Sequence, residues 1–225
     1  TSTIPDSVNF DQLSKWTKPF EGGYKITAVK DASGGTLKYT INKTMMRIDL
    51  PKPLSPGGTY AFTVEWWNWI NDRMKVGGRG GYEYFAEEDN YIYTIAQFYP
   101  RMAAYMDYSG WMHKQFLGNG EFTLDFGDYT LSITLPGDHI VASTGVLQNE
   151  SAVLTAEQRS RLAKARTATA PVFIVTPDEA KKNENKSADA KKSVGKKTWT
   201  YKAINVRDVA FANSRKFMWD GMNQP

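Results

Sequence analysis

The chain has 225 residues, a net charge of +4, 41% hydrophobic and 13% aromatic residues, and no cysteine. That is enough apolar material for a packed core in one large or two small domains. It excludes a disulfide framework, a thiolate metal site and a cysteine nucleophile, and no apolar run approaches the roughly 20 residues of a membrane-spanning helix.

The opening TSTIPDSVNF has no initiator Met and none of the basic and apolar regions of a signal peptide. It reads as a cut end or a processing site, any export signal having been removed, and residues 1–23 read as a poorly structured leader. Tyr24 to Val29 and Leu37 to Ile41 flank the turn cluster Asp31-Ala32-Ser33-Gly34-Gly35, and Met46, Ile48 and Leu50 alternate up to Pro51, which together predict a meander. After Ser55-Pro56-Gly57-Gly58, an extended run places Tyr60, Phe62, Val64, Trp66 and Ile70 on one face and Glu65, Trp67 and Trp69 on the other. Large residues on both faces predict a strand covered on both sides. Tyr91 to Tyr99 alternates as a strand ended by Pro100.

Farther on, Phe122, Leu124 and Phe126 alternate at even positions, and Tyr129, Leu131, Ile133 and Leu135 at odd ones. The phase flips at Gly127-Asp128, which means either a tight hairpin or a bulge. Ile140 to Ser143 gives another short strand. A helical insertion is expected over 155–182: Thr155-Ala156-Glu157-Gln158 has the capping-box spacing, and Thr176-Pro177-Asp178-Glu179 repeats it with Pro at the first helical position. Val172 to Val175 between them reads as a strand. Residues 181–198 hold seven Lys against Glu184 and Asp189, a local +5, so the rest of the chain is at −1. Almost nothing there is apolar, which predicts a mobile, solvated loop, and no aromatics alternate with the lysines as a nucleic-acid tract requires. Trp199 to Ile204 and Val209 to Ala212 read as strands, and Arg215 to Trp219 as a closing strand or short helix. The fold class expected is mainly β: an antiparallel β-sandwich over 24–225 with short helical insertions.

Chemistry is sparse. A catalytic zinc site needs three protein ligands, often a His pair one helical turn apart, whereas His113 and His139 are the only histidines and no His-Glu-x-x-His occurs. Gly-x-Ser-x-Gly is missing, and Gly77-Gly78-Arg79-Gly80-Gly81 does not open a helix after a strand. Glu83, Glu87, Glu88 and Asp89, with Glu121, Asp125 and Asp128, form two acidic groups suited to glycosidase work only if held about 5 to 10 Å apart. Glu87-Glu88-Asp89-Asn90 reads instead as an exposed turn. Seven Trp and twelve Tyr keep a second class open, a carbohydrate-binding module with an aromatic stacking platform.

A set of motifs adds to this reading: Gly81-Tyr82-Glu83-Tyr84, Ala96-Gln97-Phe98-Tyr99-Pro100-Arg101-Met102, Gly120-Glu121-Phe122, Phe126-Gly127-Asp128-Tyr129, Leu135 to Gly145 (LPGDHIVASTG), Leu147-Gln148-Asn149, Asn205-Val206-Arg207-Asp208 and Lys216 to Asp220 (KFMWD). Through them the chain from about Arg79 onward resembles the N-terminal domain of bacterial gluzincin zinc aminopeptidases, relatives of aminopeptidase N and leukotriene hydrolase; residues 24–78 fit more loosely. The resemblance implies a saddle-like sandwich packed on the catalytic domain of the same polypeptide, helping to wall the pocket for the substrate's N-terminus. It places the metal ligands and the amine-gripping Gly-x-Met-Glu-Asn segment beyond this domain, so it implies no catalytic or metal residue here and zinc only in that absent domain. The family's domain has further strands before this start, so both ends read as truncated. Gln97 and Tyr99 match a pair of polar substrate-binding positions. Spacing of two puts both on one face of a strand, where they wall the pocket or pack across strands. Tyr99 replaces the family's Glu or Gln with a group uncharged at neutral pH, which favours a wall over direct amine binding. The implied source is bacterial, and periplasm and cytoplasm stay equally open.

Overall fold

A computed structural model of the chain describes residues 9–16, 21–114, 124–182 and 195–224. Strands make up 41% and helices 16%, and the strand ladders are antiparallel, so the fold is mainly β. In chain order the first elements are helix α1 (Phe10–Trp16) and strands β1 (Lys25–Asp31), β2 (Lys38–Asn42), β3 (Met45–Asp49) and β4 (Phe62–Trp67). Next come α2 (Arg73–Val76), β5 (Gly81–Phe85), β6 (Asn90–Ile95), β7 (Tyr105–Met106), β8 (Gly110–Trp111), β9 (Gly127–Pro136), β10 (Ile140–Ser143) and β11 (Val146–Leu147). The last are α3 (Glu150–Val153), α4 (Ala156–Ala165), β12 (Val172–Val175), α5 (Pro177–Lys182), β13 (Lys196–Val206), β14 (Phe211–Ser214) and β15 (Trp219–Gly221). Helix α1 lies inside the segment read as a poorly structured leader. No helix among the described residues is long and apolar enough to cross a membrane.

The chain divides into two compact units. Unit 1 comprises the described parts of Thr1–Trp69 and Tyr99–Asp125; unit 2 comprises those of Ile70–Phe98 and Phe126–Pro225.

Unit 1 is built from three two-stranded ribbons, β1–β4, β2–β3 and β7–β8. The Asp31 cluster turns as expected because its carboxylate accepts from the backbone N–H of Ser33 (2.9 Å) and Gly35 (2.8 Å), and from the Ser33 hydroxyl (2.6 Å). Val29 and Leu37 are buried beside it. The expectation that the Tyr60 to Ile70 run is covered on both faces does not hold. Val64 and Trp66 are half-buried, while Phe62, Trp67 and Trp69 are exposed. Trp67 and Trp69 meet edge to face at 5.5 Å and so shield part of each other.

Unit 2 holds a four-stranded sheet, ordered β10-β14-β6-β5, a three-stranded sheet, β11-β13-β9, and the ribbon β12–β15. Its core shows why the alternation in Tyr129 to Leu135 matters. Ile133 and Leu135 from β9 and Trp199 and Tyr201 from β13 cluster with Val141 from β10, Leu147 from β11, and Val153 and Leu154 from α3 and its end. Burying side chains of this size contributes about 1.5–3 kcal/mol each. Leu124 to Phe126 are not strand and β9 begins at Gly127, so the flip at Gly127-Asp128 marks the start of a strand; the bulge beside it lies on β13, where Ala203 pairs with Tyr129 but Val206 with Gly127, so Ile204 and Asn205 oppose Asp128. Asn205 takes φ +54°, and its N–H donates to Asp128 Oδ1 at 2.9 Å.

Both predicted helix starts form capping boxes. The Thr155 hydroxyl accepts from Gln158 N–H and the Gln158 side chain accepts from Thr155 N–H; Thr176 and Glu179 do the same. The proposed loop 181–198 is shorter than expected, since Lys181 and Lys182 end α5 and Lys196 begins β13. Its centre, 183–194, lies outside the described residues, as do Glu121 and Phe122. Arg215 to Trp219 is neither a full strand nor a helix: a turn follows β14, and β15 starts at Trp219.

Candidate functional site

Gln97 and Tyr99 do not share a strand face. Strand β6 ends at Ile95, and Gln97 adopts φ +52°, a left-handed conformation that breaks the two-residue alternation. Pro100 is therefore not the stop. Gln97 is exposed and belongs to unit 2; Tyr99 is half-buried and belongs to unit 1. Between them Phe98 packs edge to face on Phe211 of β14 at 5.4 Å, which fixes the chain as it leaves the sheet.

The motif residues of unit 2 are spent on holding its own backbone. Gly81 (φ +144°) could not carry a side chain, because a Cβ there would lie 2.5 Å from Asn71 O. Gly145 (φ +96°) is equally constrained, 2.6 Å from Lys202 O. Asn149 brackets β13, donating to Thr198 O at 2.8 Å and accepting from Thr200 N–H at 3.0 Å, while Gln148 N–H donates to Thr200 O. Asp138 is buried against Arg215, Oδ2 to Nε 3.4 Å. His139 is buried with Nδ1 2.8 Å from Asn213 Oδ1, and burial holds its pKa below the ordinary value despite the opposing pull of Asn213 and Asp138. Tyr201 donates to Val141 O at 2.7 Å, and burial pushes its phenol far above the usual range.

The acidic groups disperse rather than converge. Glu83 pairs with Arg73 at 2.7 Å, Glu88 with Lys216 at 2.8 Å, and Asp89 accepts from the Tyr84 hydroxyl at 2.9 Å. As expected, the Glu87–Asp89 stretch is an exposed turn, a short 3-10 segment between β5 and β6, although Asn90 is buried on Ser214. His113 is exposed, with Nδ1 2.7 Å from Trp111 O. Among the described residues no three His, Asp or Glu side chains gather as a metal site. A cleft of about 280 Å³ opens between β11 and α4, lined by Leu147, Leu162, Tyr201, Trp219 and Arg166. Its polar groups are engaged: Arg166 pairs with Glu150, and Ser143 at its edge donates to Ala210 O.

A feature missed at the sequence level is a row of tyrosines. Tyr82, Tyr84, Tyr91 and Tyr93 occupy one face of the β5–β6 hairpin, since Tyr84 pairs with Tyr91 and Tyr82 with Tyr93. Tyr84 and Tyr91 lie 4.6 Å apart at 35°, and Tyr91 and Tyr93 6.1 Å apart at 23°. The signal was legible as Tyr-x-Tyr on both sides of the Ala86–Asp89 turn. Comparison with family models, curated proteins and solved structures finds no match to this chain.

Proposed function

We propose that this chain is the non-catalytic N-terminal domain of a bacterial zinc aminopeptidase, a saddle-like sandwich that packs on a catalytic domain of the same polypeptide. One observation supports it above the others. The most motif-rich stretches, Leu135 to Asn149 and Asn205 to Asp220, brace strands and fill unit 2's core, and where they line the cleft beside α4 they bring Ala142, Ser143, Gly145, Val146, Leu147 and Trp219, with no acid, base or metal ligand among them. A scaffold needs that allocation; a catalytic centre needs the reverse. The shared core of β9, β13 and β10 supports the sandwich. In this reading zinc belongs to the catalytic domain, and Gln97 and Tyr99 help wall the pocket for the substrate's N-terminus. The break in the strand at Gln97 makes their roles separable. In the full-length enzyme, Gln97→Ala or Tyr99→Ala shifts KM or substrate preference with kcat largely retained; unchanged kinetics across several peptide substrates would remove both residues from the pocket.

The tyrosine row favours a second reading, carbohydrate binding. A sugar stacks on an open ring face, however, and the Tyr91 ring already has Tyr84, Tyr93 and the edge of Tyr82 against it, which weighs toward the first. Saturation-transfer NMR against a glycan panel decides: signal transfer from Tyr84 and Tyr91 would reverse the preference.

A further inference from the structure

The turn between β9 and β10 and the end of β14 bury four polar side chains together: Asp138, His139, Asn213 and Arg215. We propose that this corner is an acid-sensitive clasp, in which proton uptake by His139 loosens the β10–β14 seam while the β9–β13 ladder stays closed. The inference is independent of the aminopeptidase reading.

His139 is 8% exposed, and its Nδ1 faces the Asn213 Oδ1 acceptor at 2.8 Å. Nδ1 therefore carries the hydrogen of the neutral ring, and an added proton goes to Nε2. The groups facing the ring come from three elements. Asp138 lies on its own turn, Arg215 follows β14, and the Tyr93 ring of β6 sits 6.2 Å away. Asp138 offers only partial relief: its carboxylate, 7% exposed, is shared with the Arg215 guanidinium 3.4 Å away, and its pull on the ring does not offset burial. An imidazolium would add a second cation to a buried pair, and uncompensated buried charge is costly. Strand β10 begins in this corner and, among the described residues, pairs with β14 alone, through Ile140↔Ser214 to Ser143↔Phe211, so the cost falls on that seam.

Burial favours the neutral ring and outweighs the opposing pull of Asn213 and Asp138, so the folded pKa lies below the unfolded one. The contribution to stability is complete above the unfolded pKa, about 6.5, and is lost as pH falls from there through the folded value. With only two histidines in the chain, His113→Gln isolates the His139 signal. Imidazole ¹⁵N NMR and amide hydrogen exchange on the full 225-residue H113Q chain, from pH 7.5 to 4.5, test the clasp. The expected result is a His139 titration below the ordinary histidine range, with β10 and β14 amides losing protection as it charges and β9 and β13 amides keeping theirs. In His139→Gln that selective loss disappears. Titration at or above the ordinary range, or equal loss in all four strands, overturns the proposal; if H139Q does not fold, the H113Q titration decides alone.

Discussion

Strands β2–β3 in unit 1 and β9–β13 in unit 2 carry the same alternating pattern and meet opposite fates. In β2–β3, Tyr39 pairs with Ile48 and Ile41 with Met46, so one face is apolar, yet Tyr39 and Ile41 are exposed and all of β2 lies open. In β9–β13, Leu135, Ile133, Trp199 and Tyr201 alternate in the same way and are buried. The difference lies in what covers each ladder: Val141, Val153 and Leu154 pack on β9–β13, with Leu147 beside them on β11 of the same sheet. Alternation specifies a strand and its two faces, but burial needs a second layer, and that layer is not written in the strand itself.

Substitutions sharpen this contrast, beginning where the most is buried. Trp199→Ala removes a fully buried side chain and is expected to cost about 3–5 kcal/mol, read by chemical unfolding; a loss below 1 kcal/mol would mean that the core is not packed around it. Gly145→Ala forces a side chain into φ +96° and against Lys202 O, at an expected cost of about 1–3 kcal/mol, seen first as faster hydrogen exchange in β11. Thr155→Ala deletes half of a capping box and should cost about 1 kcal/mol, read from melting of α4; no change would show that Gln158 alone suffices. At the far end, Ile41→Thr on the open ribbon keeps a β-branched residue at an exposed position and should stay within about 0.5 kcal/mol of the parent. A large loss there would reveal a cover over β2–β3.

Much of unit 2 could be read in advance because local chemistry and tertiary packing agree. Ile140–Ser143 and Val172–Val175 form strands at the expected bounds, and Thr155 and Thr176 cap helices through side chains whose spacing announces them. The candidate site was less legible for a specific reason. Gln97 takes a left-handed conformation that most often goes to glycine, with Asn and Asp next, so nothing in Ala96-Gln97-Phe98-Tyr99 signals that alternation stops at Ile95. The bulge at Asn205 was not legible: the change of phase at Gly127-Asp128 only marks where β9 begins, and the extra residue sits on β13, far away in sequence. The Asp138–Arg215 and His139–Asn213 contacts were invisible, because each joins residues more than 70 positions apart and no local rule pairs them.

The proposed role of this polypeptide is to support a reaction performed by another domain. Metal analysis of the purified 225-residue chain, combined with aminopeptidase assays across a panel of aminoacyl amides with added zinc, tests it most directly. The expected result is no stoichiometric zinc and no turnover above buffer. One zinc per chain together with saturable hydrolysis would contradict it.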